Sequence, residues 1–223
     1  MQNKILNNAI WMIGGQVVKT IISLVVSVLT ARYLGPSNYG IIGYVSTFII
    51  VLTAFSNLGL GNILIKEFVH KKENSENVIK TCIVLQLISS SISYIVAILL
   101  IFLFNINNVL MLQCATIQCL SLIFSSFESI NYFYQSRYES KKVTLITLIS
   151  YIIVQVYKVI LLITNSSVIW FSTATMLDTF VFGFGLVILF KKDKFKFGKY
   201  SKQIAKTLLK QSSPFILTGV ISV

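Results

Sequence analysis

Charged residues are scarce in this sequence: they make up 12% of its 223 residues, and only seven acidic residues stand against nineteen basic ones. Hydrophobic residues make up 55%, and the mean hydropathy is +0.81. A soluble domain needs enough polar surface to cover its core. Here the apolar residues instead occur in runs of about 20, the length that crosses a bilayer. The composition excludes a water-soluble fold and predicts an all-α integral membrane protein.

Histidine and cysteine are nearly absent, which leaves no ligand set for a metal or redox centre. The single histidine is His70, and the three cysteines, Cys82, Cys114 and Cys119, fall within apolar runs without a CxxC spacing. Thiols in such positions are typical of small buried hydrophobic side chains. We therefore expect no metal and no cofactor.

The excess of basic residues does not indicate nucleic-acid binding. Seventeen of the nineteen are lysine, whereas bidentate readout of bases and phosphates favours arginine. They cluster in the short segments between apolar runs, which is typical of membrane topology.

Six apolar runs are long enough to cross a bilayer. They predict helices at Ala9–Ala31, Ile41–Leu64, Thr81–Phe104, Val109–Asn131, Val143–Ile163 and Val168–Phe190. A seventh helix begins at Ser212 in "SSPFILTGVISV", and the sequence stops within it. We expect a six-helix lobe over residues 1–190, a cytoplasmic basic linker over 191–211 and the start of a second, truncated lobe over 212–223.

The basic residues orient the chain, because Lys and Arg are retained on the cytoplasmic side. The N-terminal tail carries Lys4, and the second, fourth and sixth connectors are rich in basic residues. The third and fifth connectors, "NINN" and "TNSS", carry none, and the first carries only Arg32. The N-terminus and the even connectors are therefore predicted to be cytoplasmic. In the sixth connector we expect a plain loop before Tyr200 and an amphipathic helix at the anionic inner leaflet after it.

The first connector, "TARYLGPSNYG" at residues 30–40, has the composition of a turn between two helices. Gly35 favours the end of the first helix, and Pro36 suits the first turn of the next. By the charge pattern this turn faces outward.

Charged residues inside the predicted helices are candidate functional residues, because each costs on the order of 2.5–3.5 kcal/mol at the bilayer centre. Lys19 and Asp178 lie near the middle of the first and sixth helices. They either pair with each other or face a cavity. Lys158, in the outer third of the fifth helix, and Glu128, near the cytoplasmic end of the fourth, either extend to an interface or serve function.

Polar residues also recur at helical spacing and so share a face on three helices. The three faces are Gln16, Lys19, Thr20, Ser23, Ser27 and Thr30; Gln118, Ser121, Ser125, Glu128 and Tyr132; and Thr144, Thr147, Tyr151, Gln155 and Lys158. Several half-polar helices indicate a polar cavity, although Ser and Thr also serve helix packing. A lysine in such a cavity attracts anions, and the Gly14–Gly15 pair beside it is a place where the helix can bend.

The stretch "ARYLGPSNYGIIGYVSTFIIVLTAFSNLGLGN", residues 31–62, resembles the first-to-second-helix signature of the polysaccharide transporter, or O-antigen flippase, family of the multidrug/oligosaccharidyl-lipid/polysaccharide exporter superfamily. "SSPFILTGVIS" resembles the opening of its seventh helix. The resemblance implies the first lobe of a two-lobe exporter of about twelve helices. Such an exporter moves undecaprenyl-diphosphate-linked oligosaccharide units across the bacterial plasma (inner) membrane by alternating access, for surface polysaccharide biosynthesis. Lys19 and Arg32 match positions where this family tends to hold basic residues.

The candidate substrate-binding residues are therefore Gln16, Lys19, Arg32, Glu128, Lys158 and Asp178. The expected partners are the lipid-linked oligosaccharide, the bilayer and polysaccharide-assembly proteins, with H⁺ or Na⁺ as the coupling ion and no nucleic acid. We expect no enzymatic activity.

Three alternatives stay open. A drug or metabolite antiporter of the same superfamily would carry more acidic residues in its first lobe. A membrane-embedded polysaccharide polymerase or ligase would need a large non-cytoplasmic loop with catalytic residues. A partner-binding membrane subunit is the third.

Overall fold

The computed structural model describes residues 2–70, 74–105 and 108–221, and within these ranges the chain is helical and contains no strand. The helices are α1 (Gln2–Ser56), α2 (Gly61–His70), α3 (Ser75–Phe104), α4 (Val109–Gln118), α5 (Leu120–Phe124), a 3₁₀ turn (Ser125–Glu128), α6 (Ser129–Ser136), α7 (Ser140–Ile163), α8 (Val168–Lys192) and α9 (Lys202–Ile221). Five stretches are long and apolar enough to cross a membrane: Ile10–Ser56, Ser75–Phe104, Val109–Ser136, Ser140–Ile163 and Val168–Lys192.

The first stretch is too long for one crossing. Its 47 residues would extend about 70 Å at 1.5 Å per residue, whereas the bilayer core is about 30 Å thick. The helix breaks at Gly35, whose φ of 72° and ψ of 171° lie in a region that favours glycine. Pro36 then begins a second arm. The turn predicted at Gly35–Pro36 is confirmed, and α1 provides two crossings, residues 2–34 and 36–56.

The second arm runs antiparallel to α3. At its start, the Asn105 amide donates to the Tyr44 hydroxyl at 3.2 Å, and near its end the Ser89 hydroxyl donates to the carbonyl of Phe55 at 3.1 Å. The first arm ends elsewhere, where the Tyr33 hydroxyl donates to the carbonyl of Ser166 at 3.1 Å. The six predicted crossings are therefore present.

The second predicted helix, Ile41–Leu64, is wrong in its end point. The crossing ends at Ser56, Leu58 and Gly59 adopt positive φ, and a separate helix, α2, begins at Gly61. Left-handed residues end a helix because they cannot continue its hydrogen bonds. The apolar run continues past this point because α2 buries Leu64 and Phe68 in the core. Run length alone does not distinguish a crossing from a buried amphipathic helix.

Two further boundaries differ from prediction. The third helix begins at Ser75, six residues before the predicted Thr81. The fourth crossing is not one regular helix but α4, α5, the 3₁₀ turn and α6. α8 packs closely against the irregular part: a Cβ on Gly183 would lie 3.2 Å from the carbonyl oxygen of Phe124 and 3.3 Å from Cβ of Phe127.

The largest buried cluster lies at the end of the lobe where the even-numbered connectors meet. Phe133 is at its centre, with ring centroids 5.5 Å from Phe68, 5.5 Å from Phe190 and 5.0 Å from Phe195. The Arg137 guanidinium lies over the Phe133 ring at 4.3 Å. Aromatic pairs of this kind contribute beyond the apolar area that they bury. This cluster joins α2, α6, α8 and the segment after α8.

The segment of residues 193–201, which we call the strap, is bound along the start of α3. The plain loop predicted for this part of the chain is therefore held in place. The backbone N–H groups of Lys196 and Lys199 donate to Glu76 Oε1 at 3.2 Å and Asn77 Oδ1 at 2.8 Å. The N–H of Ser201 donates to Thr81 Oγ1 at 3.1 Å. The strap is therefore a fixed part of the lobe.

The first residue of the strap is also anchored. Asp193 Oδ2 accepts from Lys142 Nζ at 2.8 Å and from the Tyr134 hydroxyl at 3.0 Å. The hydrogen bond from Lys142 is the main reason that the pKa of Asp193 lies below its ordinary value.

The last described helix, α9, passes without a break through Ser212, where the linker and the seventh helix were predicted to divide. It buries Ala205, Leu208 and Ser212 against the lobe. The division at 211/212 stays a prediction. Two of the basic residues on which the predicted orientation rests, Lys71 and Lys72, lie outside the described residues.

We expect Gly198→Ala to destabilise the protein. A Cβ at Gly198 would lie 2.7 Å from the backbone nitrogen of Asn77 and 2.8 Å from the carbonyl carbon of Glu76, so the strap must move off α3. Overpacking of this kind costs about 1–3 kcal/mol. Thermal unfolding of the purified protein in detergent should show a melting temperature several degrees lower. The control is Gly43→Ala, where nothing lies within 4 Å; an equal loss in both variants would contradict the close approach.

We expect Asp193→Asn to destabilise the protein at pH 7 but not in acid. Because the folded-state pKa of Asp193 is lowered, its contribution is present above the ordinary value of 3.8 and is lost as the pH falls below it. The difference in melting temperature between wild type and variant should therefore shrink between pH 7 and pH 3. A difference that stays constant over this range would mean that the carboxylate charge is not what holds the strap.

Candidate substrate-binding cleft

The polar face of the first arm of α1 lies against the polar face of α7. Gly15 permits this contact, because a Cβ there would lie 2.5 Å from Cγ2 of Thr144. The backbone is helical at Gly14–Gly15, and α1 breaks at Gly35. The glycine therefore serves close packing of two helices.

Two adjoining open clefts lie along the contact between α1 and α7, and both are lined by Gln16 and Lys19. The inner cleft, nearer the N-terminus of α1, has a volume of about 190 Å³, and the outer one about 400 Å³. The inner cleft is lined by Met12, Gly15, Gln16, Lys19, Asn131, Gln135, Ser140, Val143, Thr144, Thr147 and Leu148. The outer cleft is lined by Gln16, Lys19, Thr20, Ser23, Leu24 and Tyr151.

Lys19 is the cation at the junction of the two clefts. Its Nζ lies 5.0 Å from the centroid of the buried Tyr151 ring, close enough for a cation–π interaction. The side chain is half-buried, between the exposed Gln16 and Thr20. An ammonium group held at membrane depth beside an open cleft is placed to bind an anion.

Asp178 and Lys158 lie behind the clefts, outside both sets of lining residues. Asp178, on α8, is half-buried and interacts electrostatically with Lys19 and with Lys158 of α7. Attraction between these opposite charges offsets part of the cost of placing them in the membrane. Lys19 lines both clefts and lies near enough to Asp178 to attract it, and its role stays a prediction.

Glu128 and Arg32 are placed apart from the clefts. Glu128 ends the 3₁₀ turn, is half-buried, and interacts electrostatically with Tyr132, whose hydroxyl oxygen would be 3.0 Å from a Cβ on Gly61. Arg32 is exposed near the end of the first arm. Of the six candidate residues, the clefts bring together Gln16 and Lys19.

The upper part of the first polar stripe does not reach the clefts. Thr30 is buried, and its hydroxyl donates to the carbonyl of Val26 at 2.8 Å. The Ser27 hydroxyl donates to the carbonyl of Leu24 at 3.1 Å. Hydroxyls that bond to the preceding turn are satisfied within their own helix. The polar path from Lys19 towards Arg32 is therefore interrupted.

Asn131 and Gln135 line the inner cleft but were not among the candidate residues. Steps of three and four residues from Glu128 reach Asn131 and Tyr132, and the predicted polar face contains Tyr132. The 3₁₀ turn over residues 125–128 has three residues per turn, so it changes which face α6 presents. Two amides four residues apart were the signal available in the sequence.

Many other polar side chains within the crossings join helices to one another. Ser90 and Ser126 share a hydrogen bond of 2.9 Å, the Ser129 hydroxyl donates to Gln86 Oε1, and Gln118 Nε2 donates to the Ser46 hydroxyl at 2.6 Å. These contacts agree with the packing interpretation of the serines. In the described part of the chain, no group of three His, Cys, Asp or Glu side chains could hold a metal ion.

Comparison with known proteins gives a family and a fold. Residues 5–223 match the model of a family described as "Polysaccharide biosynthesis protein". The chain is similar to a solved structure described as "Outward-facing conformation of a multidrug resistance MATE family transporter of the MOP superfamily", with a TM-score of 0.79 and 21% sequence identity. The similarity covers 97% of this chain and 52% of that one, so this chain spans about half its length. No curated protein sequence matches.

We expect Gly15→Ala to separate α1 from α7 and to destabilise the protein, because its methyl group would meet Cγ2 of Thr144 at 2.5 Å. Thr144→Ser removes that Cγ2, so the double variant Gly15→Ala/Thr144→Ser should recover most of the lost melting temperature. Gly14→Ala is the matched control, since nothing lies within 4 Å of its Cβ. Additive losses in the double variant would argue against this contact.

Proposed function

The chain belongs to the polysaccharide biosynthesis protein family, and we propose that it forms the first lobe of an exporter that moves undecaprenyl-diphosphate-linked oligosaccharide units across the bacterial plasma membrane. The observation that carries this proposal is Lys19, a cation at the junction of two open polar clefts within a membrane crossing. A diphosphate is the part of the substrate that such a cation would bind.

The exposure of the first arm supports a cavity that a second lobe would complete. Gln16, Thr20 and Ser23 are exposed on a helix whose remaining exposed residues are mostly apolar. Polar groups facing lipid are unfavourable. This stripe therefore faces water or a second lobe, while the apolar sides of the same helix contact lipid. An open cleft beside a lipid-facing surface suits a substrate whose lipid tail stays in the bilayer.

The orientation predicted from the connectors puts the N-terminus and the strap in the cytoplasm. In this orientation the inner cleft opens on the side where lipid-linked units are assembled, and Arg32 lies on the outer side, where the diphosphate leaves. The coupling ion, H⁺ or Na⁺, and the polysaccharide-assembly partners stay predictions.

A drug or metabolite antiporter is the second candidate, because the similar solved structure is described as a multidrug resistance transporter. A cationic drug would be bound best by carboxylates. Among the described residues that line the two clefts, none is Asp or Glu, and the charged one is Lys19. The cleft chemistry therefore favours an anionic substrate. A polymerase or ligase has less support, since the connectors after Phe104 and Ile163 are only a few residues long.

We expect Lys19→Ala to lower export by about ten- to a hundredfold, because a hydrogen bond to a charged group contributes about 1.5–3 kcal/mol. The measurement is surface polysaccharide in a strain that lacks its own flippase and expresses the full-length protein. Lys19→Arg should keep much of the activity. Lys206→Ala, which removes an exposed lysine from α9, is the control. Wild-type export by the combined Lys19→Ala/Arg32→Ala variant would rule out a cationic cavity.

A further inference from the structure

The inner cleft carries amide side chains from two helices, α1 and α6. Gln16 comes from α1, and Asn131 and Gln135 come from α6. We propose that these amides, with the threonine hydroxyls of α7, bind the sugar that is attached directly to the diphosphate and select which sugar is exported. This inference rests on the proposed function and concerns the part of the substrate next to Lys19.

The chemistry of the lining suits a neutral sugar. Each sugar hydroxyl both donates and accepts hydrogen bonds, and amide and hydroxyl side chains do the same. The amides of Gln16, Asn131 and Gln135 provide both types, whereas the Thr147 hydroxyl donates to the carbonyl of Val143 at 2.9 Å and is left to accept. In contrast, an apolar ligand would be bound mainly by aromatic and aliphatic side chains.

The two amides of α6 are held in a defined arrangement. Gln135 Nε2 donates to Asn131 Oδ1 at 3.2 Å, across one turn of the helix. This bond takes up one of the four hydrogen-bonding positions of each amide. Holding the side chains before a ligand arrives lowers the entropy lost on binding, so the pair can distinguish sugars that differ in one hydroxyl or acetamido group.

The volume of the inner cleft and its position beside Lys19 suit a single sugar ring. The inner cleft has a volume of about 190 Å³, below the roughly 300–1,000 Å³ of pockets for drug-sized ligands. It therefore fits a single sugar ring better than an oligosaccharide. Lys19 lies at its boundary with the outer cleft. A diphosphate bound by Lys19 therefore brings the attached sugar next to Asn131 and Gln135.

The test uses the full-length protein in vesicles of phosphatidylethanolamine and phosphatidylglycerol, with two probes: undecaprenyl diphosphate that carries either N-acetylglucosamine or galactose. Wild type should move one probe faster than the other. Asn131→Ala and Gln135→Ala should each slow the preferred probe about tenfold and bring the ratio of the two rates towards one. Lys19→Ala should instead slow both probes by the same factor. Gln113→Ala, which removes an exposed amide from α4, is the matched control and should change neither rate.

Asn131→Gln and Gln135→Asn keep the amide but move it by one methylene. They should change the ratio even if an alanine variant fails to fold. Equal wild-type rates for the two probes, or variants with an unchanged ratio, would overturn the sugar-selecting role while leaving the exporter proposal intact. A wild-type protein that moves neither probe but exports a cationic dye would instead overturn the proposed function.

Discussion

The bilayer is the solvent of this chain, and its inability to hydrogen-bond determines the rest of the structure. Every backbone N–H and C=O within the hydrocarbon must be satisfied inside the protein, so the crossings are helices. Breaks are tolerated only in particular places. The long helix α1 reverses at Gly35, where the backbone conformation favours glycine, and the irregular fourth crossing is covered by α8 at Gly183.

The same constraint sorts the polar side chains into two groups. Side chains of the first group hydrogen-bond to another helix, as Ser90 does to Ser126, or to their own helix, as Thr30 does. The other group lines the clefts, where Gln16 and Ser23 are exposed and Lys19 is half-buried. Both groups look alike in the sequence. A polar residue at membrane depth therefore indicates a binding site only once its hydrogen-bond partners are known.

Packing at the inner end of the lobe gives the basic connectors a second role. Arg137, one of the basic residues on which the predicted orientation rests, also lies over the rings of Phe133 and Phe195, 4.3 and 4.7 Å from their centroids. The strap presents its phenylalanines to this cluster while Lys194, Lys196 and Lys199 remain exposed. The sixth connector therefore supplies both exposed lysines and buried aromatic side chains, and it joins the start of α9 to the lobe.

The sequence by itself determined the membrane class, the six crossings, the break at Gly35 and the polar stripe that contains Gln16 and Lys19. These properties depend on run length, local backbone preference and spacing along one helix, all of which are one-dimensional. Only the tertiary structure decided that α2 is separate from the second crossing, that Asn131 and Gln135 face the cleft, and that the strap is bound to α3. The separation of α2 follows from the positive φ of Leu58 and Gly59, and the other two features depend on how far one element is rotated against another. Close contacts between residues distant in sequence set that rotation, such as those at Gly15, Gly183 and Gly198.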